Sequence, residues 1–305
     1  MIGETCCTKS TNCRIWEGEL RTKGRLKKNH SDTPLLTVIT AVFNGEQHLE
    51  ESILSVLNQT YNNVQYIIID GGSTDGTLDI IRKYEHRIDY WVSEKDSGIA
   101  NAWNKALKLT LGQWFVILGA DDYFWNDSVL DQFVFRLKKF NGISLIKYGD
   151  VNYINQKRIV VAPLRGGEFS YNKFTNQGMF FCHQSVFCHH SLIAKIGSFD
   201  ENYRFAMDYD FILRALKITT PEYMQNFLVA AFRVDGVSGS YNDILKIRKE
   251  YIRIIRSNGI SNYLNLQYIL YCIDFMKYLI QKILGDVLRK KIQNTYRSLT
   301  GRIPI

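Results

Sequence analysis

The sequence predicts an α/β fold with a mostly parallel, open sheet and helices on both of its faces. Between residues 35 and 120, apolar segments suited to buried strands alternate four times with segments of helical period. This alternation is typical of parallel sheets, because a parallel connection needs a crossover and the crossover is usually a helix. With 46% hydrophobic residues among 305, the chain also has enough apolar side chains for a large core.

The four predicted strands are nearly continuous apolar runs, as expected for strands that are covered on both faces. In chain order they are Leu35–Phe43, Val64–Asp70, Ile88–Ser93 and Gln113–Gly119. The segments "EQHLEESILSVLNQ", "TLDIIRKYE" and "GIANAWNKALKLT" are the predicted helices between them. In the first of these, apolar residues recur at helical spacing. Turn-forming residues such as Asn44 and Gly45 separate the elements.

Aspartates follow three of the predicted strands at the point where each strand ends. Asp70 ends the second strand, Asp96 lies just after the third, and Asp121 and Asp122 follow the fourth. The carboxyl ends of parallel strands meet at one edge of an open α/β sheet, where ligands bind. Each aspartate alone is also explained as a cap of the next helix, as for Asp75. Taken together, the set favours a binding site.

Several carboxylates at one edge predict a divalent cation, Mg²⁺ or Mn²⁺, because hard oxygen ligands select these ions. Such ions usually arrive with a phosphate, so the predicted ligand is a nucleotide or a nucleotide conjugate. The sequence contains neither a GxxxxGK[ST] loop nor a GxGxxG fingerprint. This excludes P-loop NTPases and dinucleotide dehydrogenases of the usual type.

The cysteines and histidines predict neither disulfides nor a zinc site. Six cysteines show no disulfide framework and no paired CxxC ligands, so we expect reduced thiols in a cytoplasmic protein. The segment "CHQSVFCHH" (Cys182–His190) holds two cysteines and three histidines. Its "SVF" is typical of a strand, however, and the spacing matches no common zinc motif.

The two ends of the chain differ from its middle, which suggests three regions. We predict a basic arm over residues 1–34, one domain over 35–240 and an amphipathic helical region over 241–305. Much of the net charge of +8 lies in "RTKGRLKK" (Arg21–Lys28) and "RKKIQNTYR" (Arg289–Arg297). Such basic ends favour an anionic partner, for example a membrane surface, although they are equally explained as solvated tails.

The segment Tyr268–Leu288 is the most apolar stretch near the C-terminus. Four charged residues interrupt it, so it is not predicted to span a membrane. It is typical of an amphipathic helix that either lies on a membrane surface or packs on the main domain. The first residues show no secretory signal pattern.

Three long segments resemble the inverting family 2 glycosyltransferases, in particular those of bacterial polysaccharide and O-antigen biosynthesis. They are "TVITAVFNGEQHLEESILSVLNQTYNNVQYIIIDGGSTDGT", "SEKDSGIANAWNKALKLTLGQWFVILGADDYF" and "HQSVFCHHSLIAKIGSFDENYRFAMDYDFILRA". The resemblance covers residues 35–240. Any one motif is weak, but four in the same order and at the same spacing are specific. The resemblance implies the A-type nucleotide-sugar-binding fold with additional C-terminal helices.

The resemblance also implies a role for each residue in the donor pocket. Phe43 matches an aromatic residue that stacks near the base of the donor. Asp70 matches the aspartate that helps to hold the base, and its carboxylate could accept the uracil N3–H. Asp96 matches the aspartate of a D-x-G motif in the same pocket.

Further implied roles concern the metal and the acceptor. Asp121 and Asp122 match the metal-binding aspartates, with Asp122 as the direct ligand of the metal on the diphosphate. Asp208, in "AMDYD", matches the catalytic base that activates the acceptor hydroxyl. For His183 two interpretations are open: a functional residue that lines the acceptor pocket or contacts phosphate, and a hydrogen-bonded structural residue. Asp210 is expected to support the helix that follows it.

The sequence departs from the family pattern at three places. Gly71 stands where many relatives have a second aspartate, and Ala100-Asn101 stand where many have Tyr-Asp. These differences bear on base specificity and on the donor sugar. No QxxRW motif follows Asp208, which implies that one sugar is added per encounter.

The implied function is therefore inverting, metal-dependent transfer of a single hexose or N-acetylhexosamine from a UDP-sugar. The acceptor would be a saccharide linked to polyprenyl diphosphate at the inner face of the cell membrane, with no nucleic-acid partner. Two alternatives remain: a non-catalytic nucleotide-sugar-binding protein, and a phosphatase with Asp70 as nucleophile. The phosphatase motif Asp-x-Asp-x-Thr has Gly72 at its second acidic position. The donor sugar, the linkage and the oligomeric state are left open.

Overall fold

The computed structural model describes residues 16–18, 27–30, 33–139, 143–234, 241–260 and 266–278. In these residues ten strands form one open sheet. They are β1 (Trp16–Gly18), β2 (Leu36–Val42), β3 (Val64–Asp70), β4 (Tyr90–Ser93), β5 (Trp114–Ile117), β6 (Tyr123–Phe124), β7 (Ile146–Ile154), β8 (Val160–Leu164), β9 (Val186–His189) and β10 (Glu222–Arg233).

Nine helices surround the sheet in the same described ranges. They are α1 (Leu49–Leu57), α2 (Thr77–Tyr84), α3 (Ile99–Leu109), α4 (Val129–Lys139), α5 (Tyr171–Gln177), α6 (Ser191–Ile196), α7 (Met207–Ala215), α8 (Tyr241–Ser257) and α9 (266–278). Two short 3₁₀ turns, Glu85–Arg87 and His183–Ser185, complete the secondary structure described here.

The predicted fold class is confirmed. The strand order is β1-β4-β3-β2-β5-β9-β7-β10-β6, with β8 paired to β7. Strands β2, β3, β4, β5, β7 and β10 run in one direction, and the other four of the described strands run against them. The four strands predicted from the sequence are β2 to β5, and each observed strand lies within its predicted range.

Helices cover both faces of the sheet, because neighbouring residues of a strand point to opposite sides. On one face, Ile39 and Ile67 pack in a core with side chains of α3 and α7. On the other, Val38 and Ile68 pack in a core with α1, α2 and α4. The continuous apolar strands of the sequence are explained by this double coverage.

The order of the strands places a crevice at the carboxyl end of β2. From β2 the chain proceeds to β3 and β4 on one side, then returns to β5 on the other. At such a reversal the loops after the strands diverge and leave room for a ligand. Two further elements reach this edge. Strand β9 is antiparallel to β5, so it begins where β5 ends, and β10 ends there at Arg233.

The two terminal regions also contact the main body. Strand β1 pairs with β4, and Lys27 forms an ion pair with Asp89 at 2.9 Å. Ile254 of α8 is fully buried in the core that contains α7. The basic segment 289–297, most of 21–28 and residues 279–288 of the predicted amphipathic segment lie outside the described residues. No helix among the residues described is long and apolar enough to cross a membrane.

Candidate active site

Of the two aspartates that follow β5, Asp122 is more deeply buried than Asp121. Only 1% of Asp122 is exposed. Its Oδ2 accepts a hydrogen bond from Nε2 of Gln184 at 2.6 Å, and its Oδ1 accepts one from the backbone N–H of Arg233 at 3.0 Å. Burial and the nearby charge of Asp121 raise the pKa of Asp122 to about 7.

Gly119 leaves room for both carboxylates. A Cβ on Gly119 would collide with the Asp122 carboxylate and would lie 3.1 Å from Oδ1 of Asp121. Two converging carboxylates suit Mg²⁺ or Mn²⁺, which often take one or two protein oxygens and complete their shell with water and phosphate. Within the described ranges, no group of three or more acidic, histidine or cysteine side chains forms a metal site. Asp121 and Asp122 supply oxygen ligands of the kind that these ions accept, and their binding of a cation stays a prediction.

A buried guanidinium lies beside the two carboxylates. Arg233 is 3% exposed and its Nε donates to the backbone carbonyl of Asp121 at 2.9 Å. Its Nη2 forms an ion pair with Glu51, which in turn pairs with Arg158 at 2.9 Å. Its Nη1 is buried without a hydrogen-bond partner. The positive charge of Arg233 partly offsets the repulsion between Asp121 and Asp122.

Asp208 lies in the first turn of α7, and its Oδ1 accepts the backbone N–H of Tyr209 at 2.8 Å. The helix begins at Met207, and its N-cap residue Ala206 makes no side-chain capping bond. The carboxylate of Glu250 on α8 accepts hydrogen bonds from the backbone N–H groups of residues 204–206. Two carboxylates, those of Asp208 and Glu250, therefore bond backbone N–H groups at the start of α7.

The surroundings of Asp208 are apolar on one side and contain one histidine on the other. Trp103 and Phe199 help to line a cavity of about 30 Å³ next to Asp208. Nδ1 of His183 lies 3.6 Å from Oδ2 of Asp208, and the indole of Trp103 packs on the imidazole with ring centroids 5.4 Å apart. Burial raises the pKa of Asp208 and lowers that of His183. At Asp208, burial thus outweighs the opposing effects of His183 and of the backbone hydrogen bond from Tyr209, which lower the pKa.

Asp70 is fully buried at the end of β3, and protein groups surround its carboxylate. It accepts hydrogen bonds from the backbone N–H groups of Gly72 and Ser73 and from the hydroxyl groups of Ser73 and Ser93. A carboxylate offers about four acceptor positions, so these contacts occupy it. In this structure Asp70 holds the loop after β3, and its contact with a donor base stays a prediction.

Phe43 and Asp96 lie on either side of that loop. The side chain of Phe43 is 65% exposed just after β2. Asp96 is half-buried, and burial raises its pKa. A Cβ on Gly71 would lie 2.8 Å from Oδ2 of Asp96, so the missing side chain at residue 71 makes room for this carboxylate.

Residues expected to be structural do make structural contacts. Asp210 is buried and forms an ion pair with Arg214 at 2.8 Å. Asp75 accepts hydrogen bonds from Thr77 at the start of α2. His189 bonds Ser191 rather than any other residue of the Cys182–His190 cluster.

The site also contains residues that the sequence did not reveal. Gln184 is adjacent to His183 in "HQSVF", so its position in the turn before β9 offered a weak signal. Arg233 and Glu250 offered none, because they reach the site from the end of β10 and from α8.

Comparison with known proteins identifies the family. Residues 37–197, more than half of the chain, match the family described as Glycosyl transferase family 2. The chain belongs to glycosyl transferase family 2. The family and the enzyme class predicted from the sequence, a glycosyltransferase, are thereby confirmed.

The relatives agree with this assignment. The chain is 33% identical over 215 residues to an uncharacterized glycosyltransferase of Mycobacterium tuberculosis, covering 70% of this chain and 80% of that one. It is 37% identical over 121 residues to a Bacillus subtilis protein named as a teichuronic acid biosynthesis glycosyltransferase, TuaG. That match covers 37% of this chain and 48% of TuaG.

Solved structures show the same fold. Staphylococcus aureus TarS 1-349, in complex with UDP-GlcNAc, has a TM-score of 0.57 at 17% identity and covers 76% of this chain and 68% of that one. The mannosyltransferase PcManGT from Pyrobaculum calidifontis, in complex with GDP-Man and Mn²⁺, has a TM-score of 0.57 at 15% identity. It covers 92% of this chain and 84% of that chain.

Proposed function

We propose that this glycosyltransferase moves a single sugar, with inversion, from a UDP-hexose or UDP-N-acetylhexosamine to a lipid-linked saccharide. The product would belong to a cell-surface polysaccharide. The observation that carries the proposal is the pairing of a carboxylate of raised pKa, Asp208, with two converging carboxylates, Asp121 and Asp122. The turn His183–Ser185 contacts both groups.

The proposed reaction is a single displacement at the anomeric carbon. Asp208 accepts the proton of the acceptor hydroxyl while its oxygen attacks, and the bond from the anomeric carbon to the nucleotide diphosphate breaks. Attack from the side opposite the leaving group inverts the configuration. Asp121 and Asp122 would hold Mg²⁺ or Mn²⁺, which supplies positive charge for the departing diphosphate.

Two features of the donor pocket support a nucleotide. Phe43 presents an exposed ring beside the crevice, where it can stack on a base. Asp96 presents a half-buried carboxylate that can accept an N–H or hydroxyl group. The two solved neighbours are complexes with UDP-GlcNAc and with GDP-Man and Mn²⁺, respectively. We assign UDP to this chain as part of the proposal.

The structure disfavours the phosphatase alternative and gives no support to the binding-protein alternative. An aspartyl nucleophile must be reached by its substrate, but Asp70 is 0% exposed and its carboxylate is occupied by four donors. A protein that only binds nucleotide sugars needs no general base, whereas Asp208 has the surroundings of one.

Helix α9 supports the proposed position at a membrane surface. Its polar residues face the protein, since Gln267 and Asp274 both bond Arg248 of α8 and are nearly fully buried. Its apolar residues Ile269, Ile273 and Met276 are 49%, 42% and 55% exposed. They are spaced i, i+4 and i+7, so they share one face. A helix with polar groups inward and apolar groups outward suits a lipid surface.

A donor screen tests the proposed function. Purified enzyme would be incubated with UDP- and GDP-sugars, Mn²⁺ and polyprenyl-diphosphate-linked acceptors, and the released nucleotide diphosphate would be measured. We expect acceptor-dependent release with one UDP-sugar, and its loss in excess EDTA. Donor binding by calorimetry without turnover on any acceptor would favour the binding-protein alternative. Full activity in EDTA would contradict the metal assignment.

A further inference from the structure

One short 3₁₀ turn lies beside both Asp122 and Asp208. In the 3₁₀ turn His183–Ser185, the Gln184 amide reaches Asp122 at 2.6 Å and the His183 ring lies 3.6 Å from Asp208. Successive residues of a 3₁₀ turn point about 120° apart, so neighbours can face different partners. The next residue begins β9, which is hydrogen-bonded to β5 on one side and β7 on the other. The turn is therefore anchored to the middle of the sheet.

The turn itself is closed by local hydrogen bonds. The backbone N–H and the hydroxyl group of Ser185 both donate to the carbonyl oxygen of Cys182, at 3.0 and 2.8 Å. Gln184 is only 2% exposed and Ser185 is fully buried. Because these residues have no room to move, the Gln184 side chain is held in one place.

Cys182 fixes which way the Gln184 amide points. Its thiol donates to Oε1 of Gln184, which directs the NH₂ group toward Asp122. Burial raises the pKa of the Cys182 thiol, so the sulfur keeps the proton that it donates. The Cys182 thiol thus donates to Gln184, and Gln184 in turn donates to the Asp122 carboxylate.

The Asp122 carboxylate is held at both oxygens. Gln184 donates to Oδ2 and the backbone N–H of Arg233 donates to Oδ1. Each oxygen retains one further lone pair, and Oδ2 occupies the room that the missing side chain of Gly119 leaves. Without the Gln184 amide, the carboxylate could rotate away from this position.

We propose that Gln184 is a positioning residue that aims the Asp122 carboxylate at the cation site. Its neighbour His183, in the same turn, lies beside Asp208 instead. The inference rests on the proposed function, since it takes Asp122 as a metal ligand. Residues that orient a metal ligand typically change metal affinity about 10- to 100-fold when they are removed.

The test is the affinity for Mn²⁺, measured from the electron paramagnetic resonance signal of free Mn²⁺ with and without UDP. Gln184→Met keeps an unbranched side chain of similar size and removes the donor. We expect it to bind Mn²⁺ about 10- to 100-fold more weakly than wild type. His183→Asn should retain wild-type Mn²⁺ affinity while its kcat falls, because it acts on Asp208.

A matched control separates positioning from general destabilisation. Gln65 is also buried, at 3% exposure, and its amide bonds Thr37, Leu109 and Leu111 near the start of β3, at the opposite edge of the sheet. Gln65→Met should lower the free energy of unfolding without changing Mn²⁺ affinity. If Gln184→Met does not fold, Cys182→Ala and Cys182→Ser serve instead. The serine variant keeps a donor to Gln184 and should bind Mn²⁺ more tightly than the alanine variant.

The outcomes distinguish this inference from the proposed function. If Asp122→Asn loses Mn²⁺ binding but Gln184→Met binds as wild type does, Gln184 is not a positioning residue and the metal assignment stands. If the variants Cys182→Ala and Cys182→Ser are used instead, equal affinities of the two for Mn²⁺ would overturn the inference in the same way. If wild type binds no Mn²⁺ even with UDP, the metal role of Asp122 fails and the inference fails with it.

Discussion

Asp208 combines two properties that a general base needs. Its pKa is raised by burial, and it lines a cavity while its Oδ2 lies 3.6 Å from Nδ1 of His183. The residue type and its place before an apolar helix were readable from the sequence. The direction of its pKa was not, because burial and hydrogen bonds at a helix N-terminus act in opposite senses and the degree of burial depends on the tertiary packing.

The first prediction concerns the proposed role of Asp208 as the general base. Asp208→Asn keeps the size of the side chain and removes its basicity, so we expect kcat to fall about 10²- to 10⁴-fold. Donor and Mn²⁺ binding should be unchanged, because the donor pocket and the aspartate pair are intact. Calorimetry would measure donor binding, and released nucleotide diphosphate would measure turnover. A folded Asp208→Asn enzyme with near wild-type kcat would remove Asp208 as the base.

The second prediction concerns pH. Asp208 must be ionised to accept a proton, so kcat/KM falls as the pH drops through the pKa of this group in the free enzyme. Because burial raises that pKa, the fall should begin at higher pH than for an ordinary carboxyl group. His183 and Glu250 also act on this pKa, with His183 lowering it and Glu250 raising it. A pH profile whose acid limb lies at or below the usual range of aspartate would contradict the assignment.

At the scale of elements, the site depends on strands that run in both directions. The sequence predicted β2 to β5 and the aspartates that follow them, because continuous apolar runs and turn residues are local signals. It predicted a strand at the start of β9 but not its direction. Its antiparallel placement between β5 and β7 puts Gln184 beside Asp122. Register between distant strands is set by packing, so Arg233 and Glu250 could not be placed from the sequence.

The third prediction concerns the contact between α8 and α7. Glu250 accepts three backbone hydrogen bonds at residues 204–206, just before Asp208. Glu250→Ala should lower the free energy of unfolding by about 1–3 kcal/mol, as for other hydrogen bonds to charged groups. Urea titration would measure this change. Lys246→Ala, at an exposed ion pair of the same helix, is the control and should change stability by less than about 1 kcal/mol. Equal effects of the two substitutions would show that Glu250 does not hold α7.

At the scale of the whole molecule, two surfaces have complementary uses. The carboxyl edge of the sheet brings together the aspartate pair and the residues that we propose to bind the donor, and Asp208 is linked to this edge by the turn His183–Ser185. Helix α9 leaves an apolar face on the outside, defined by Ile269, Ile273 and Met276. The sequence predicted the amphipathic segment but left two interpretations open. The described part of the segment both packs on α8 through polar groups and keeps its apolar face exposed, so the two interpretations are compatible.

The last prediction concerns that apolar face. We expect the full-length enzyme to sediment with phosphatidylglycerol vesicles at low salt and to bind phosphatidylcholine vesicles less, because its net charge is +8. Changing Ile269, Ile273 and Met276 to serine leaves the charge unaltered and removes apolar area. At about 25 cal/mol per Å² of apolar surface, this loss should weaken binding at least about tenfold.

Phe135→Ser is the matched control, because Phe135 is 57% exposed on α4, away from α9. It removes a comparable exposed side chain and should leave vesicle binding unchanged. If the triple variant binds vesicles as wild type does, α9 does not contact the lipid. Wild type could instead fail to bind anionic vesicles and dimerise through this face. Size-exclusion chromatography would then show a dimer for wild type and a monomer for the triple variant, and the apolar surface would bind a second copy of the chain. In that case a lipid-linked acceptor would have to be brought to the crevice without the help of α9.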